Sequence, residues 1–147
     1  MSTRLVGTSI LALTLAAALS AACARSNENS GATGTSGTAV RVSKIDMGRS
    51  LAADKTINDN TASFKPNDTI YASIATEGAA ATVTLKARWT YQEGQVVNES
   101  TQTLAPTGDA RTEFHISKSD GWPPGKYKLE VFLNGSSAAT RDFQVEG

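Results

Sequence analysis

The sequence predicts an all-β domain built as a two-sheet sandwich of seven or eight strands. From residue 40 onward, short runs of alternating apolar and polar residues are separated by turn residues, as in half-buried strands. No stretch of this region repeats apolar residues about every 3.6 positions, the spacing of an amphipathic helix. The chain has one cysteine in 147 residues. The domain must therefore be held by a hydrophobic core, without disulfides.

Two stretches predict the central strands. In residues 83–91, alternate side chains share one apolar face: Val83, Leu85, Ala87, Trp89 and Tyr91. Residues 126–133 alternate in the same way, and the Asn134-Gly135 pair that follows is a strong hairpin signal. The partner strand of that hairpin should span residues 139–145, with Phe143 and Val145 facing inward.

Shorter patterns predict the other strands. After a turn at Glu93-Gly94, the polar run 95–104 suits an edge strand. Four more strands are predicted at 40–46, near 55–64, at 69–76 with Ile70, Ala72 and Ile74 inward, and at 111–117 with Phe114 and Ile116 inward. The first of these contains Val40, Val42 and Ile45, which break strict alternation. Such a break indicates a bulge or a switch between sheets.

Two aromatic residues suggest the type of sandwich. Trp89 lies midway along a long predicted strand, and Tyr127 opens the penultimate one. These positions resemble the core tryptophan and the tyrosine corner of immunoglobulin-like domains. The disulfide that joins the two sheets of antibody domains has no counterpart in this chain, so the resemblance is one of architecture. It implies an immunoglobulin-like β-sandwich over residues 40–147.

The first 22 residues have the three parts of an export signal. Arg4 supplies positive charge, residues 5–19 form an apolar core, and residues 20–22 are small. The apolar run is interrupted and shorter than the roughly 20 residues of a transmembrane helix. Residues 1–22 are therefore predicted to be a cleaved signal peptide.

The residues that end this signal, Leu19-Ser20-Ala21-Ala22-Cys23, resemble the lipobox of bacterial lipoproteins. Leu19 stands one position farther from the cysteine than in the commonest form of the motif. The resemblance implies that Cys23 is acylated and becomes the first residue of the mature protein. The alternative is ordinary cleavage at the same bond, which would release a soluble protein with a free thiol.

Residues 23–39 are predicted to be a lipidated cysteine and a flexible linker, because they contain almost only small and polar residues. The linker would reach at most about 50 Å. The predicted location is the bacterial cell envelope, with the lipid on Cys23 holding the protein to a membrane. Ala24 stands where many Gram-negative lipoproteins retained at the inner membrane have Asp. In a Gram-negative source, the outer membrane facing the periplasm is therefore the expected site.

Charge and chemistry exclude several function classes. The chain has 14 Lys and Arg against 14 Asp and Glu, so no bulk charge recruits nucleic acid. His115 is the only histidine, and strand parity points it to solvent. A zinc site normally has three or four Cys, His or carboxylate ligands, so none is predicted. No Gly-x-Ser-x-Gly elbow is present. We predict no catalytic residue, no metal ligand and no cofactor.

The scattered carboxylates are explained by turn chemistry. They are Asp54, Asp59, Asp68, Asp109 and Asp120, and most of the five stand beside Gly, Asn or Pro in predicted turns. The alternative is that two of them meet at one end of the sandwich, where they would bind calcium or act as an acid–base pair.

Two features are candidates for partner contact. Trp122 lies in the rigid stretch Gly121-Trp122-Pro123-Pro124-Gly125, where an exposed indole could stack on a sugar or insert into a partner. The alternative is that Trp122 closes one end of the core.

The second feature is the outward face that carries Lys86, Arg88 and Lys128, which suits an anionic partner. The alternative is that Glu130 and Asp142 neutralise these cations across the strands.

These observations favour a lipid-anchored envelope binding or adaptor module without catalysis. A second hypothesis is a structural or assembly subunit that docks on an envelope protein complex through a sheet edge or an outer face. A third and weaker hypothesis, a carbohydrate-active or other hydrolase, would need a cleft with convergent titratable groups.

Overall fold

The structure is a computed structural model that describes residues 39–147. The predicted signal peptide, Cys23 and the linker up to residue 38 lie outside the described residues. The described part contains eight strands: β1 (Arg41–Gly48), β2 (Ser63–Phe64), β3 (Ile70–Glu77), β4 (Val83–Tyr91), β5 (Gln95–Leu104), β6 (Ala110–Ile116), β7 (Gly125–Leu133) and β8 (Ser136–Val145). Within residues 39–147, no helix has the length and apolar character needed to cross a membrane.

The strands form an immunoglobulin-like sandwich of two sheets. One sheet has the order β1-β3-β6 and the other β2-β8-β7-β4-β5. Every pairing is antiparallel except β2 with β8. The predicted all-β two-sheet sandwich is confirmed, and the polar strand β5 is an edge strand as expected.

Of the two irregularities that the start of the domain indicated as alternatives, the bulge is the one found in that stretch. A register shift between Val42 and Lys44 makes Ser43 a bulge in β1. The chain then switches sheets, because β1 pairs with β3 whereas β2 pairs with β8. The switch itself lies between β1 and β2.

The core fills the space between the sheets with the side chains that alternation predicts. The predicted inward residues of β3, β6 and β8 are buried: Ile70, Ala72, Ile74, Phe114, Ile116, Phe143 and Val145. Trp89, two residues before the end of β4, is fully buried and meets Phe143 edge to face, with ring centroids 5.8 Å apart. Such aromatic pairs add to the stabilisation from burial alone. Tyr91, at the end of β4, is half-buried.

Tyr127 forms the expected tyrosine corner at the start of β7. Its hydroxyl donates a hydrogen bond to the carbonyl oxygen of Pro123 at 2.7 Å. Burial, followed by the nearby Tyr91, raises the pKa of Tyr127 to about 12. Gly125 has φ of +147°, and a Cβ there would lie 2.9 Å from the Tyr91 ring. Only glycine lets the chain pass so close to that ring.

The same corner buries Trp122, which is 6% exposed and meets Tyr127 edge to face at 6.3 Å. Its backbone N–H donates to the carbonyl oxygen of Pro66 at 2.7 Å, so the residue is fixed against the core from two sides. Of the two interpretations of this residue, core closure matches the structure. This burial gives no support to the other interpretation, contact of Trp122 with a ligand or partner.

The β7–β8 hairpin turns at Asn134 and Gly135, with φ values of 49° and 84°. Two positive φ values in a two-residue turn match the right-handed twist of the flanking strands. Asn134 also accepts a hydrogen bond from the Thr84 N–H at its Oδ1 atom and donates its own N–H to the Thr84 carbonyl. The turn is thus joined to the beginning of β4.

The strand predicted near 55–64 is much shorter, because β2 has only two residues. Most of residues 49–62 form a loop along the outside of the three-stranded sheet, where the carbonyl of Lys55 accepts a 2.5 Å hydrogen bond from Ser73. Arg49 holds this loop through Asp59, Asp68 and the carbonyl of Ser63. Isolated bridges between Gly48 and Asn60 and between Leu51 and Ile57, together with these side-chain contacts, take the place of a longer strand.

We expect Trp89→Ala and Trp122→Ala each to lower the free energy of unfolding by about 3 to 5 kcal/mol, because both indoles are core groups. Urea denaturation measures this loss. Val96→Ala is the control, since Val96 is 53% exposed, and a change of at most about 0.5 kcal/mol is expected there. A Trp122→Ala variant as stable as the control would show that the indole is not part of the core.

Candidate functional site

The outward side chains of the five-stranded sheet form one polar surface, here called the outer face. Strand alternation creates it, because every residue whose neighbours point to the core points to solvent. Its members come from all five strands: Ser63, Lys86, Arg88, Glu99, Lys126, Lys128, Glu130, Phe132, Asp142 and Gln144. The three predicted cations lie on this surface, as strand parity indicated.

Lys86 and Arg88 belong to a compact group, here called the charged cluster, with Glu99 and Phe132. Arg88 Nε donates to Glu99 Oε2 at 2.7 Å, and Lys86 Nζ lies 3.5 Å from Glu99 Oε1. Both cations lie over the Phe132 ring, at 4.7 Å for Lys86 and 4.8 Å for Arg88. Cation–π attraction and charge pairing act on the same two side chains.

The acid that pairs with Lys86 and Arg88 is neither Glu130 nor Asp142, the two acids that the sequence suggested. Glu130 lies opposite Arg88 on β7, but its carboxylate accepts a hydrogen bond from Ser137. The ion pairs are made instead by Glu99 from β5. A bulge between Trp89 and Thr90 on the β4–β5 ladder brings Glu99 directly opposite Arg88. Without the extra residue, Asn98 would occupy that position.

Glu99 is held in its charged form by this arrangement. The hydrogen bond from Arg88, supported by the charge of Lys86, lowers the pKa of Glu99 below its ordinary value. Lys86 and Arg88 therefore share one carboxylate that stays ionised at neutral pH.

A shallow open groove of about 660 Å³ lies at the end of the outer face nearest β2. The ladder places Lys126 opposite Gln144 and Lys128 opposite Asp142. Gln144 in turn lies beside Ser63 of β2. These side chains line the groove together with Gln92, Thr61 and Ala62 and parts of Tyr127 and Phe143.

The groove contains donors with few internal partners. Lys126 and Lys128 are exposed, and neither makes an ion pair within 4 Å in residues 39–147. Gln144 donates weakly to Ser63 at 3.4 Å. Gln92 donates to the Tyr91 hydroxyl at 2.8 Å, and that hydroxyl donates to Pro124. Two ammonium groups and two amides can therefore contact one polar ligand.

Sequence reasoning found Lys128 but missed Lys126, Gln92, Gln144 and Ser63. The signal for Lys126 was present, since it stands two positions before Lys128 on the same strand face. No sequence signal pointed to Ser63 or Gln144, because their proximity depends on the parallel pairing of β2 with β8. Asp142, one of the two acids in the alternative interpretation of these cations, lies opposite Lys128 but makes no ion pair within 4 Å in residues 39–147.

The other titratable residues lie apart from the groove. His115 is exposed on β6 and contacts Glu113, which confirms the outward orientation. Asp59 and Asp68 do come together, but they bind the Arg49 guanidinium between them. Across residues 39–147, no three His, Cys, Asp or Glu side chains converge as ligands for a metal ion. Cys23, the predicted lipidation site, lies outside the described residues.

Comparison with known proteins yields structural likenesses only. No protein-family model matches the chain, and no curated protein matches it. The domain is similar to an immunoglobulin-like protein of Pseudomonas aeruginosa, with 14% identity and a TM-score of 0.47 over 74% of this chain and 97% of that one.

Parts of two larger proteins are also similar. One is an alkylpurine DNA glycosylase of Pseudomonas fluorescens, with 17% identity and a TM-score of 0.49 over 74% of this chain. The other is a β-glucosidase of Listeria innocua, with 6% identity and a TM-score of 0.46 over 74% of this chain. The matched region spans only 30% of the glycosylase and 16% of the glucosidase. At these identities and scores, neither likeness assigns an activity to this chain.

We expect Glu99→Gln to lower the free energy of unfolding at pH 7, because it removes the charge shared by Lys86 and Arg88. The pKa of Glu99 is lowered in the folded state, so its contribution is complete above the unfolded pKa of about 4.3. It is lost as the pH falls through the lower folded pKa. Urea melts from pH 7 to pH 2 should therefore show that the stability curves of the native protein and of Glu99→Gln converge at acidic pH.

Glu93→Gln is the matched control for this variant, because Glu93 is an exposed turn residue without an ion pair in the described part of the chain. It should leave the curve unchanged at every pH. A Glu99→Gln curve parallel to that of the native protein down to pH 2 would contradict the assignment.

Proposed function

We propose that this protein is a lipid-anchored binding module of the bacterial envelope that holds an anionic component in the groove of its outer face. The observation that carries the proposal is the pair of lysines in that groove, Lys126 and Lys128. They lie two residues apart on one strand, about 7 Å along it. No carboxylate lies within 4 Å of either ammonium in residues 39–147.

The contrast within the outer face supports this choice of site. Lys86 and Arg88 already share Glu99 and cover Phe132, so a ligand would have to displace those contacts. Lys126 and Lys128 have no ion pair within residues 39–147 to lose. The amides of Gln92 and Gln144 lie beside them and can donate further hydrogen bonds to ligand oxygens.

The proposed ligand is therefore an anionic, oxygen-rich group, such as an acidic glycan or the headgroup of an anionic lipid. The groove volume falls in the range of small-ligand sites, but its open form suits one segment of a larger molecule. Binding through exposed ammonium groups should weaken as salt screens them.

The proposal includes no catalysis. Asp142 is the single carboxylate among the side chains that line the groove, whereas glycoside hydrolysis uses a pair. The groove lining offers Ser and Thr hydroxyls but no histidine to activate them.

The envelope location rests on the amino-terminal residues. The lipobox-like Leu19-Ser20-Ala21-Ala22-Cys23 supplies the acylation site, and the polar residues after it supply the tether. Permanent attachment needs more than one acyl chain, as the lipoprotein resemblance implies. A protein so tethered would meet components of its own membrane and of the adjacent envelope.

A second candidate function, docking on an envelope protein complex, is favoured by one observation. The edge of β5 is ten residues long and pairs with β4 alone among the described strands. Such an edge can accept a strand from another chain.

We expect the double substitution Lys126→Glu and Lys128→Glu to abolish binding to anionic probes at low salt. Two assays measure it: co-sedimentation with vesicles that contain anionic phospholipid, and retention on an immobilised acidic polysaccharide. Loss in one assay alone identifies the source of the ligand group. The melting temperature should barely change, because both side chains are exposed.

The matched control reverses two cations outside the groove, Lys65 and Lys118, which gives the same net charge. This control should keep native binding. An equal loss of binding in both double variants would mean that net charge, and not the groove, causes binding. Native binding by the Lys126→Glu and Lys128→Glu variant would show that the groove is not the binding site.

Independently, Cys23→Ser should move the protein out of the membrane fraction while the domain stays folded, because the buried side chains of residues 39–147 form a core of their own. Cell fractionation with a high-salt wash and a thermal melt of the soluble product are the measurements. Retention of the Cys23→Ser variant on washed membranes would contradict the lipid anchor.

A further inference from the structure

Among the strands of residues 39–147, β5 has one edge without a partner strand, and this edge differs from the two edges of the three-stranded sheet. β1 carries Arg41, Lys44 and Asp46 and a bulge, and β6 carries Arg111, Glu113 and His115. Charges and bulges of this kind protect an edge from pairing. In β5 the one charged residue is Glu99, and its carboxylate is bound by Lys86 and Arg88. The bulge of β5, at Val97, lies near the start of the strand and leaves the rest of the edge regular.

After its bulge, β5 pairs with β4 in one continuous register. Asn98 to Leu104 pair with Trp89 to Val83 without a shift. This segment contains no Lys, Arg or Pro, and its side chains are exposed or half-exposed. It is the kind of edge that β-proteins pair or cover.

The hydrogen bonds of Thr84 show which backbone groups of β5 are free. Both its N–H and its carbonyl bond to Asn134, on the β7 side of β4. Thr84 and its β5 partner Thr103 are therefore a non-hydrogen-bonded pair of the β4–β5 ladder. By alternation, the N–H and carbonyl groups of Glu99, Thr101 and Thr103 point away from β4, toward the open edge.

We propose that this edge binds a second copy of the chain, with the two β5 strands antiparallel and a two-fold axis at Thr101. Thr101 then faces Thr101 of the other copy, and Glu99 faces Thr103. All three free residues of both strands are paired, which gives six backbone hydrogen bonds. Cyclic two-fold dimers with self-complementary interfaces are the commonest oligomers.

The side chains select this register over its neighbours. A shift of the axis by one residue toward Glu99 brings Thr103 against the bulge at Val97, and a shift the other way moves Glu99 opposite Ala105. Either shift leaves only four backbone hydrogen bonds between the two copies among Glu99, Thr101 and Thr103. An axis at Glu99 itself would set two carboxylates against each other, which is destabilising. The axis at Thr101 places a Thr–Thr pair at the centre, a favourable cross-strand contact.

Site-directed cross-linking of the full chain in mild detergent tests the dimer and its register together. Thr101→Cys should cross-link to a dimer with a short thiol-specific reagent, because facing Cα atoms lie about 5.5 Å apart. Thr103→Cys is the matched control on the same strand and face. Each Thr103 is four residues, about 13 Å, from its own copy in the partner, so it should not cross-link. The native chain, which keeps Cys23, measures the background.

A second variant tests the interface without any reagent. Thr101→Lys puts two ammonium groups face to face at the axis and should convert the dimer to monomer in native mass spectrometry. Thr140→Lys, on exposed β8, should remain dimeric. A native chain that is monomeric at high concentration overturns the proposal. So does equal cross-linking at positions 101 and 103, or a dimer that survives Thr101→Lys.

Discussion

The packing of Phe143 between the strands of the larger sheet is the contact on which the rest of the domain depends. Its ring lies 5.2 Å from Tyr127, 5.7 Å from Phe64 and 5.8 Å from Trp89. One side chain of β8 thus joins β7, β2 and β4 in a chain without disulfides. Because neighbouring residues on a strand point to opposite faces, fixing Phe143 inward also fixes Asp142 and Gln144 outward. The groove is therefore positioned by the core beneath it.

The outer face shows how one extra residue separates two kinds of cationic surface. The bulge at Val97 turns Glu99 outward, where it meets Arg88 and Lys86. Those cations become part of a structural cluster with Phe132. Lys126 and Lys128 lie on the neighbouring strand β7, and neither makes an ion pair with a carboxylate of residues 39–147. Charge sign alone would have grouped all four together.

The groove and the open edge lie at opposite sides of the same sheet, since β2, β8 and β7 form one side and β5 the other. Pairing through β5 would leave both grooves open in a dimer. A tethered dimer with two weak sites would bind a repeating anionic surface more tightly than either site alone, because the second contact becomes intramolecular. The groove and the dimer are independent proposals, since neither uses a residue of the other. Docking of a partner protein on β5 would compete with the dimer, because both use the same edge.

The sequence by itself determined the class of the fold, the inward faces of the long strands, the Asn134-Gly135 turn and the tyrosine corner at Tyr127. These features depend on period-two alternation and on local turn chemistry, which are written in consecutive residues. Tertiary structure alone decided that Trp122 is buried, that β2 has two residues, and that Glu99 neutralises Lys86 and Arg88. It also brought Ser63 and Gln144, far apart in sequence, to one groove. Each of these depends on strand register or on packing between distant segments, where a single bulged residue reverses the direction of a side chain.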